Sequence, residues 1–251
     1  MAIVSQTPVR AERGAPVAIV ALDFAALDQV MALVDELGSL CRFYKVGSEL
    51  FTAEGPAAVS RLRAHGCEVM LDLKFHDIPN TVAGAVGSAR ALGARILTIH
   101  ATGGEAMIRA AVDAAGGECQ IFAVTLLTSL DAPAASAVWG RGAVEVSREV
   151  VRLATLARDA GVAGVVASGS EVRAIKAELG PGFKVLVPGV RPTGTARGDQ
   201  RRVVSPGEAS RLGADYVVVG RTVTTAANRR GAMEKMIREL SVVHQVDTGL
   251  N

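Results

Sequence analysis

One repeated unit constrains this chain more than any other feature. A helix-like stretch ends in glycine, two or three residues follow, and an unbroken apolar run begins, as in "HGCEVMLDLKF", "LGARILTIHA", "AGVAGVVASG" and "LGADYVVVGR". Glycine there suits a helix end, where φ must be positive. The runs do not alternate apolar with polar. Strands covered on both faces read this way, and such strands belong to parallel sheets. Eight runs of this kind occur, at 17–24, 42–47, 68–75, 96–101, 120–127, 164–168, 184–190 and 216–221. Helical patterns follow them, such as "ALDQVMALVDELG" and "GSEVRAIKAELG", with apolar residues three and four apart. No proline- and serine-rich linker divides the units. Eight βα units in 251 residues predict an α/β chain folded as a single-domain (β/α)8, or TIM, barrel. A doubly wound sheet is the alternative, but it rarely spaces eight strands so evenly. The barrel is expected over 16–240, with 1–15 a disordered extension and 241–251 a tail.

Composition narrows the partners. The net charge is +2 and 49% of residues are hydrophobic. That balance gives no electrostatic argument for nucleic acid or a membrane surface, so any anion site must be local. Cys41, Cys67 and Cys119 are an odd count without metal spacing and read as reduced thiols of a cytoplasmic protein. The opening "MAIVSQTPVRAERGAP" has no apolar core of a secretory signal. No apolar run is long enough to predict a membrane span.

Active sites of this barrel form at the C-terminal ends of its strands. Those ends read Asp23, Lys45, Asp72 with Lys74, His100, Thr128, Ser168, Arg191 and Arg221. Strand ends that simply meet solvent would explain some of these, such as His100 and Ser168. They explain Lys45 poorly, because "RFYKVGSEL" sets it in an apolar run and a buried charge is costly unless paired. Asp72, on the next strand, is the nearest candidate partner.

"LDLKFHDIP" holds three charges. Asp72 and Lys74 are two apart, so on a strand they share a face, here the barrel mouth. Asp77 lies beyond the strand, before "IPNT", where Pro79 suits the first turn of a helix. It is open to three uses: a cap, a group reaching back into the site, or one crossing to a neighbouring subunit. A structural salt bridge is the plainer explanation of the D-x-K-x-x-D pattern alone, and the Lys45 position tilts the reading to catalysis. His76 should face away from Asp72 and Lys74, which favours a packing role.

The far end of the chain suggests an anion site. "VPGVRP" ends the seventh run and "VVVGRTV" the eighth, the two places where such barrels often hold phosphate. Gly189 and Gly220 would let backbone N–H groups approach an anion, and Arg191 and Arg221 would add charge-assisted bonds. Between them "PTGTARGDQRRVVSP" is long enough for a lid and carries Gln200. A solvated basic loop is the competing explanation.

Taken together, "ALDF", "FYKVGSELF", "LDLKFHDIPNT", "AVTLLTS", "VPGVRPTG", "GDQRR" and "VVGRTV" stand in the order and spacing of one family. Over residues 17–239 the chain resembles the orotidine 5′-phosphate decarboxylases of the bacterial type. The resemblance implies loss of CO₂ from orotidine monophosphate to give uridine monophosphate in de novo pyrimidine biosynthesis, without a cofactor or metal. It implies that Lys74 protonates C6 of the pyrimidine, that Asp72 lies beside the substrate carboxylate, and that Lys45 and Asp77 of a partner chain complete a row of alternating charges. Asp23 and Lys45 would contact the ribose, with Thr81 of the partner chain near a ribose hydroxyl and Ile78 among the binding residues. Thr128 or Ser129 would meet the base. Gln200, Arg221 and the backbone at Gly220 would grip the phosphate, with Arg191 beside them. A homodimer with shared sites is therefore expected. Two alternatives stand beside it. One is a related phosphosugar lyase, a keto-sugar-phosphate decarboxylase or aldolase, usually Mg²⁺-dependent. The other is a silent nucleotide-binding protein.

Overall fold

The computed structural model describes residues 14–191 and 204–241. Gly66 and Gly213, two glycines of the repeated unit, have φ of 71° and 90°. The helices before them stop there and the chain turns into the next strand.

The elements follow in the order β1 (Val17–Ala21), α1 (Leu27–Leu37), β2 (Phe43–Gly47), α2 (Ser48–Glu54), α3 (Pro56–Ala64), β3 (Glu68–Phe75), α4 (Pro79–Ala91), β4 (Ile96–His100), α5 (Gly104–Ala115) and β5 (Gln120–Val124). Then come α6 (Ala132–Trp139), α7 (Val146–Asp159), β6 (Gly164–Val166), α8 (Val172–Leu179), β7 (Lys184–Val187), α9 (Pro206–Leu212), β8 (Tyr216–Val219), α10 (Arg221–Thr224) and α11 (Arg229–Ser241). Each strand pairs in parallel with its sequence neighbours, and β8 closes on β1. The fold is a closed (β/α)8 barrel.

Except for β3, the strands are shorter than their apolar runs. β1 stops at Ala21, β5 at Val124 and β7 at Val187, so Asp23, Thr128 and Arg191 sit in the loops beyond. Pairing ends where the chains diverge toward the helices, while the apolar run continues over the rim.

Residues along the strands alternate between two buried environments, which is why the sequence shows no polar beat. Ile19, Phe43, Met70, Ile96, Phe122, Val124, Leu186 and Val218 fill the barrel. Val20, Tyr44, Val46, Leu71, Leu97 and Ile121 pack outward under the helices. Inside, Tyr216 meets Phe122 and Phe43 edge-on, with ring centroids 5.6 and 6.3 Å apart. Truncating Phe122 to alanine would cost about 3–5 kcal/mol, because so tight a layer collapses poorly around a void. Above these rings the interior changes from apolar to charged. The helices are fixed to the barrel by their apolar stripes and by caps. In α9, Ser205 accepts from the Glu208 amide while the Glu208 carboxylate accepts from the Ser205 amide, a reciprocal cap of the orphan donors.

Cys41, Cys67 and Cys119 are buried free thiols. Among the described residues no helix is long and apolar enough to cross a membrane.

Candidate active site

A cavity of about 330 Å³ opens at the C-terminal mouth of the barrel. Its floor is Met70, Val124, Val166, Leu186 and Val218, and its walls carry Asp23, Lys45, Asp72, Lys74, Thr128, Arg191, Gly220 and Arg221. An apolar floor and charged walls thus enclose one space.

Along one wall the charges alternate. Lys45 Nζ donates to Asp23 Oδ1 at 3.0 Å and stands 3.8 Å from Asp72 Oδ2. Lys74 Nζ donates to Asp72 Oδ1 at 2.8 Å. Asp72 had been the expected partner of Lys45, but the hydrogen bond goes to Asp23. The loop after β1 carries Asp23 across to Lys45, a rearrangement strand order alone does not reveal. Asp72 is the centre of the row, with 12% of its side chain exposed, against 59% for Asp23. Burial pushes the Asp72 carboxyl up; the ammoniums of Lys74 and Lys45, with hydrogen bonds from Lys74 and Thr98, outweigh it and hold its pKa below the usual value.

Lys74 reaches Asp72 by an unexpected route. Its φ is 50°, the one positive value among non-glycine residues described, at a cost of about 1–2 kcal/mol. Here β3 shifts its register against β4, between Leu71 and Phe75. The shared face of Asp72 and Lys74 is therefore built by an irregularity, not by simple strand alternation. The Lys74 amide donates to Thr98 Oγ1 at 3.0 Å, and Thr98 Oγ1 donates to Asp72 Oδ1 at 2.9 Å. Thr98 is fully buried on β4. Sequence reasoning missed it; the only signal is a threonine inside the apolar "RILTIH".

Gly47 was missed as well. A Cβ there would lie 2.8 Å from Lys45 Nζ and 3.5 Å from Asp23 Oδ1. The absent side chain leaves room for that ion pair.

Asp77, Ile78 and Thr81 lie outside their own cavity. The Asp77 carboxylate accepts from the Ile78 amide at 2.6 Å, and among the described residues it makes no ion pair. It does not cap α4, whose N-cap is Ile78. Ile78 is 67% exposed, one of few large apolar side chains so placed. Thr81 is exposed in the first turn of α4. His76 is exposed rather than packed in a core, with its ring 5.4 Å from that of His100. Burial, then His76 and Lys74, push the His100 pKa down against the pull of Asp72.

At the end where the sequence suggests an anion site, Arg191 and Arg221 line the cavity. Gly220 precedes α10, and its carbonyl accepts from the Val223 and Thr224 amides at 2.9 and 3.1 Å. Gly189 lines the cavity as well, and its own N–H donates to Val218 O at 3.1 Å. It makes the turn, with φ of 67°. Thr128 lines the cavity; Ser129 does not. Gln200 lies outside the described residues, as does the expected lid "PTGTARGDQRRVVSP" apart from Val204, Ser205 and Pro206.

Comparison with known proteins follows the same residues. The sequence model of the orotidine 5′-phosphate decarboxylase / HUMPS family matches residues 16–236. The orotidine 5′-phosphate decarboxylase of Anaeromyxobacter sp. is 53% identical over 216 residues, covering 84% of this chain and 92% of that protein. The one from Moorella thermoacetica is 48% identical over 233 residues, covering 90% and 92%. The crystal structure of orotidine 5′-phosphate decarboxylase from Lactobacillus acidophilus matches with a TM-score of 0.79 at 32% identity, covering 90% of this chain and 99% of that one.

Proposed function

The chain belongs to the orotidine 5′-phosphate decarboxylase / HUMPS family, and on that footing we propose how its charged row works. The protein is a carboxy-lyase of de novo pyrimidine biosynthesis; it removes CO₂ from orotidine 5′-monophosphate to give uridine 5′-monophosphate. In our reading Lys74 is the proton donor. The bond from C6 to the carboxylate breaks and its electron pair stays on C6, in an sp² orbital the ring delocalises poorly. The Lys74 ammonium faces that developing charge and then gives C6 a proton, leaving as the amine and recovering its proton from solvent. Stabilisation by a fixed charge is strongest where no solvent must reorganise.

The single observation that carries this reading is the run Asp23–Lys45–Asp72–Lys74, with Lys74 Nζ held at 2.8 Å from Asp72. Asp72 orients the ammonium; Lys45 and Asp23 meet the ribose; Thr128, rather than Ser129, meets the base. Arg221, the backbone at Gly220 and Arg191 hold the phosphate with Gln200, and this remote binding energy supports the reaction at C6. A Mg²⁺-dependent sugar-phosphate reaction suits the wall less well. Both of its carboxylates, Asp23 and Asp72, already face ammonium groups.

Asp77, Ile78 and Thr81 enter the site of a second copy in this reading, making a homodimer with two shared sites. Their exposure beside the mouth supports it.

The test is ultraviolet monitoring of orotidine monophosphate consumption by the purified protein, with and without EDTA. Equal rates are expected. Loss of turnover in EDTA, restored by Mg²⁺, would overturn the metal-free reading.

A further inference from the structure

We propose that Thr98 is a positioning residue for the decarboxylation, tying the backbone of Lys74 and the carboxylate of Asp72 into one unit that aims the ammonium. The proposal rests on Lys74 being the proton donor.

Thr98 stands one strand away from both residues and is fully buried. Its hydroxyl accepts the Lys74 amide at 3.0 Å and donates to Asp72 Oδ1 at 2.9 Å. Lys74 Nζ donates to that same Oδ1 at 2.8 Å. The result is a closed ring, from the Lys74 amide through Thr98 and Asp72 to the Lys74 ammonium. The root and the tip of one side chain are thus referred to a single carboxylate oxygen.

The irregular backbone explains why a hydroxyl is needed. Lys74 has the left-handed φ of 50°, and β3 is out of register with β4 at that point. A regular ladder would offer the Lys74 amide a carbonyl of β4. Thr98 Oγ1 takes the place of that acceptor. Only a hydroxyl among small side chains accepts from one neighbour and donates to another through one atom. Accepting from the amide also polarises its O–H bond, which strengthens the donation to Asp72. Valine would fill the same volume and supply neither bond.

Thr98→Val and Thr98→Ser separate this role from packing. The valine variant is expected to lose kcat by about tenfold or more, with KM within about threefold of wild type, because the phosphate and ribose contacts lie elsewhere. Serine should bring kcat back to within about threefold of wild type, since it keeps both hydrogen bonds. The acidic limb of the kcat/KM profile should move to higher pH in the valine variant, because Asp72 loses a donor that favours its charged form. Wild-type kcat with an unmoved acidic limb in Thr98→Val overturns the proposal. So does a serine variant as slow as the valine one. If Thr98→Val no longer binds uridine monophosphate and proves unfolded, Thr98→Ala is judged against serine by the same criteria. Lys74→Ala, assayed alongside, distinguishes the two ideas. If it is active, the proton-donor assignment falls; if it is inactive while Thr98→Val turns over normally, the Thr98 role alone falls.

Discussion

Lys74 Nζ stands 2.8 Å from Asp72 Oδ1 although β3 leaves its register with β4 between Leu71 and Phe75. The pair depends on a local exception in the barrel, and Asp72 serves two ammonium groups at once, with Lys45 on its other oxygen. Asp72→Asn should therefore lower kcat by about a hundredfold or more, equivalent to about 2.7 kcal/mol of barrier. It has a second signature. The folded Asp72 pKa lies below its ordinary 3.8. Its contribution to stability is present above the unfolded pKa and is lost as pH falls through the lower folded one. Melting temperature measured across the acid range should fall less steeply in Asp72→Asn than in wild type below about pH 4. Identical acid slopes would contradict the pairing.

Gly47→Ala tests the space around Lys45. The new Cβ would come 2.8 Å from Lys45 Nζ, the far end of a flexible chain that can move without shifting the backbone. The expected result is a loss of about tenfold in kcat/KM with a melting temperature within about 4 °C of wild type. A variant with wild-type kcat/KM would show that the Lys45–Asp23 geometry is unimportant.

Arg221 opens α10 on the cavity wall. Arg221→Ala should cut kcat/KM for orotidine monophosphate by about a hundredfold and leave the unphosphorylated nucleoside almost unaffected. Equal losses on both substrates would remove the phosphate role.

The homodimer can be tested by complementation. Lys74→Ala and Asp77→Asn are each expected to be nearly inactive. Unfolded and refolded together in equal amounts, about half of the dimers are mixed, and each mixed dimer of an isologous pair holds one intact site. Activity should return to about a quarter of wild type by that counting. No recovery, with subunit exchange verified by mass, would place Asp77 in its own chain's site.

Much of the fold was legible because barrel strands are apolar on both faces. The eight runs needed only that rule, although their ends overran the strands by the residues that cross the rim, such as Leu22 and Leu126. The charged wall was legible because Lys45 and Asp72 are conspicuous among apolar neighbours. What remained hidden depends on tertiary approach. Asp23 pairs with Lys45 through a loop, and a threonine such as Thr98 is ordinary in a strand until its neighbours are known. Gly47 shows its purpose only when Lys45 Nζ is seen beside it. Strand alternation put Lys74 on the face of Asp72 for an incomplete reason, since a residue with φ of 50° is not in extended conformation. Gln200 lies outside the described residues.

The central claim is that Lys74 gives the proton to C6. The most direct test is turnover of orotidine monophosphate by Lys74→Ala, paired with calorimetric binding of uridine monophosphate to show that the site remains intact. The account predicts product affinity within about threefold of wild type and a kcat lowered by about a thousandfold or more. A variant that binds product normally and keeps more than about a tenth of wild-type kcat, under about 1.4 kcal/mol of barrier, would contradict it.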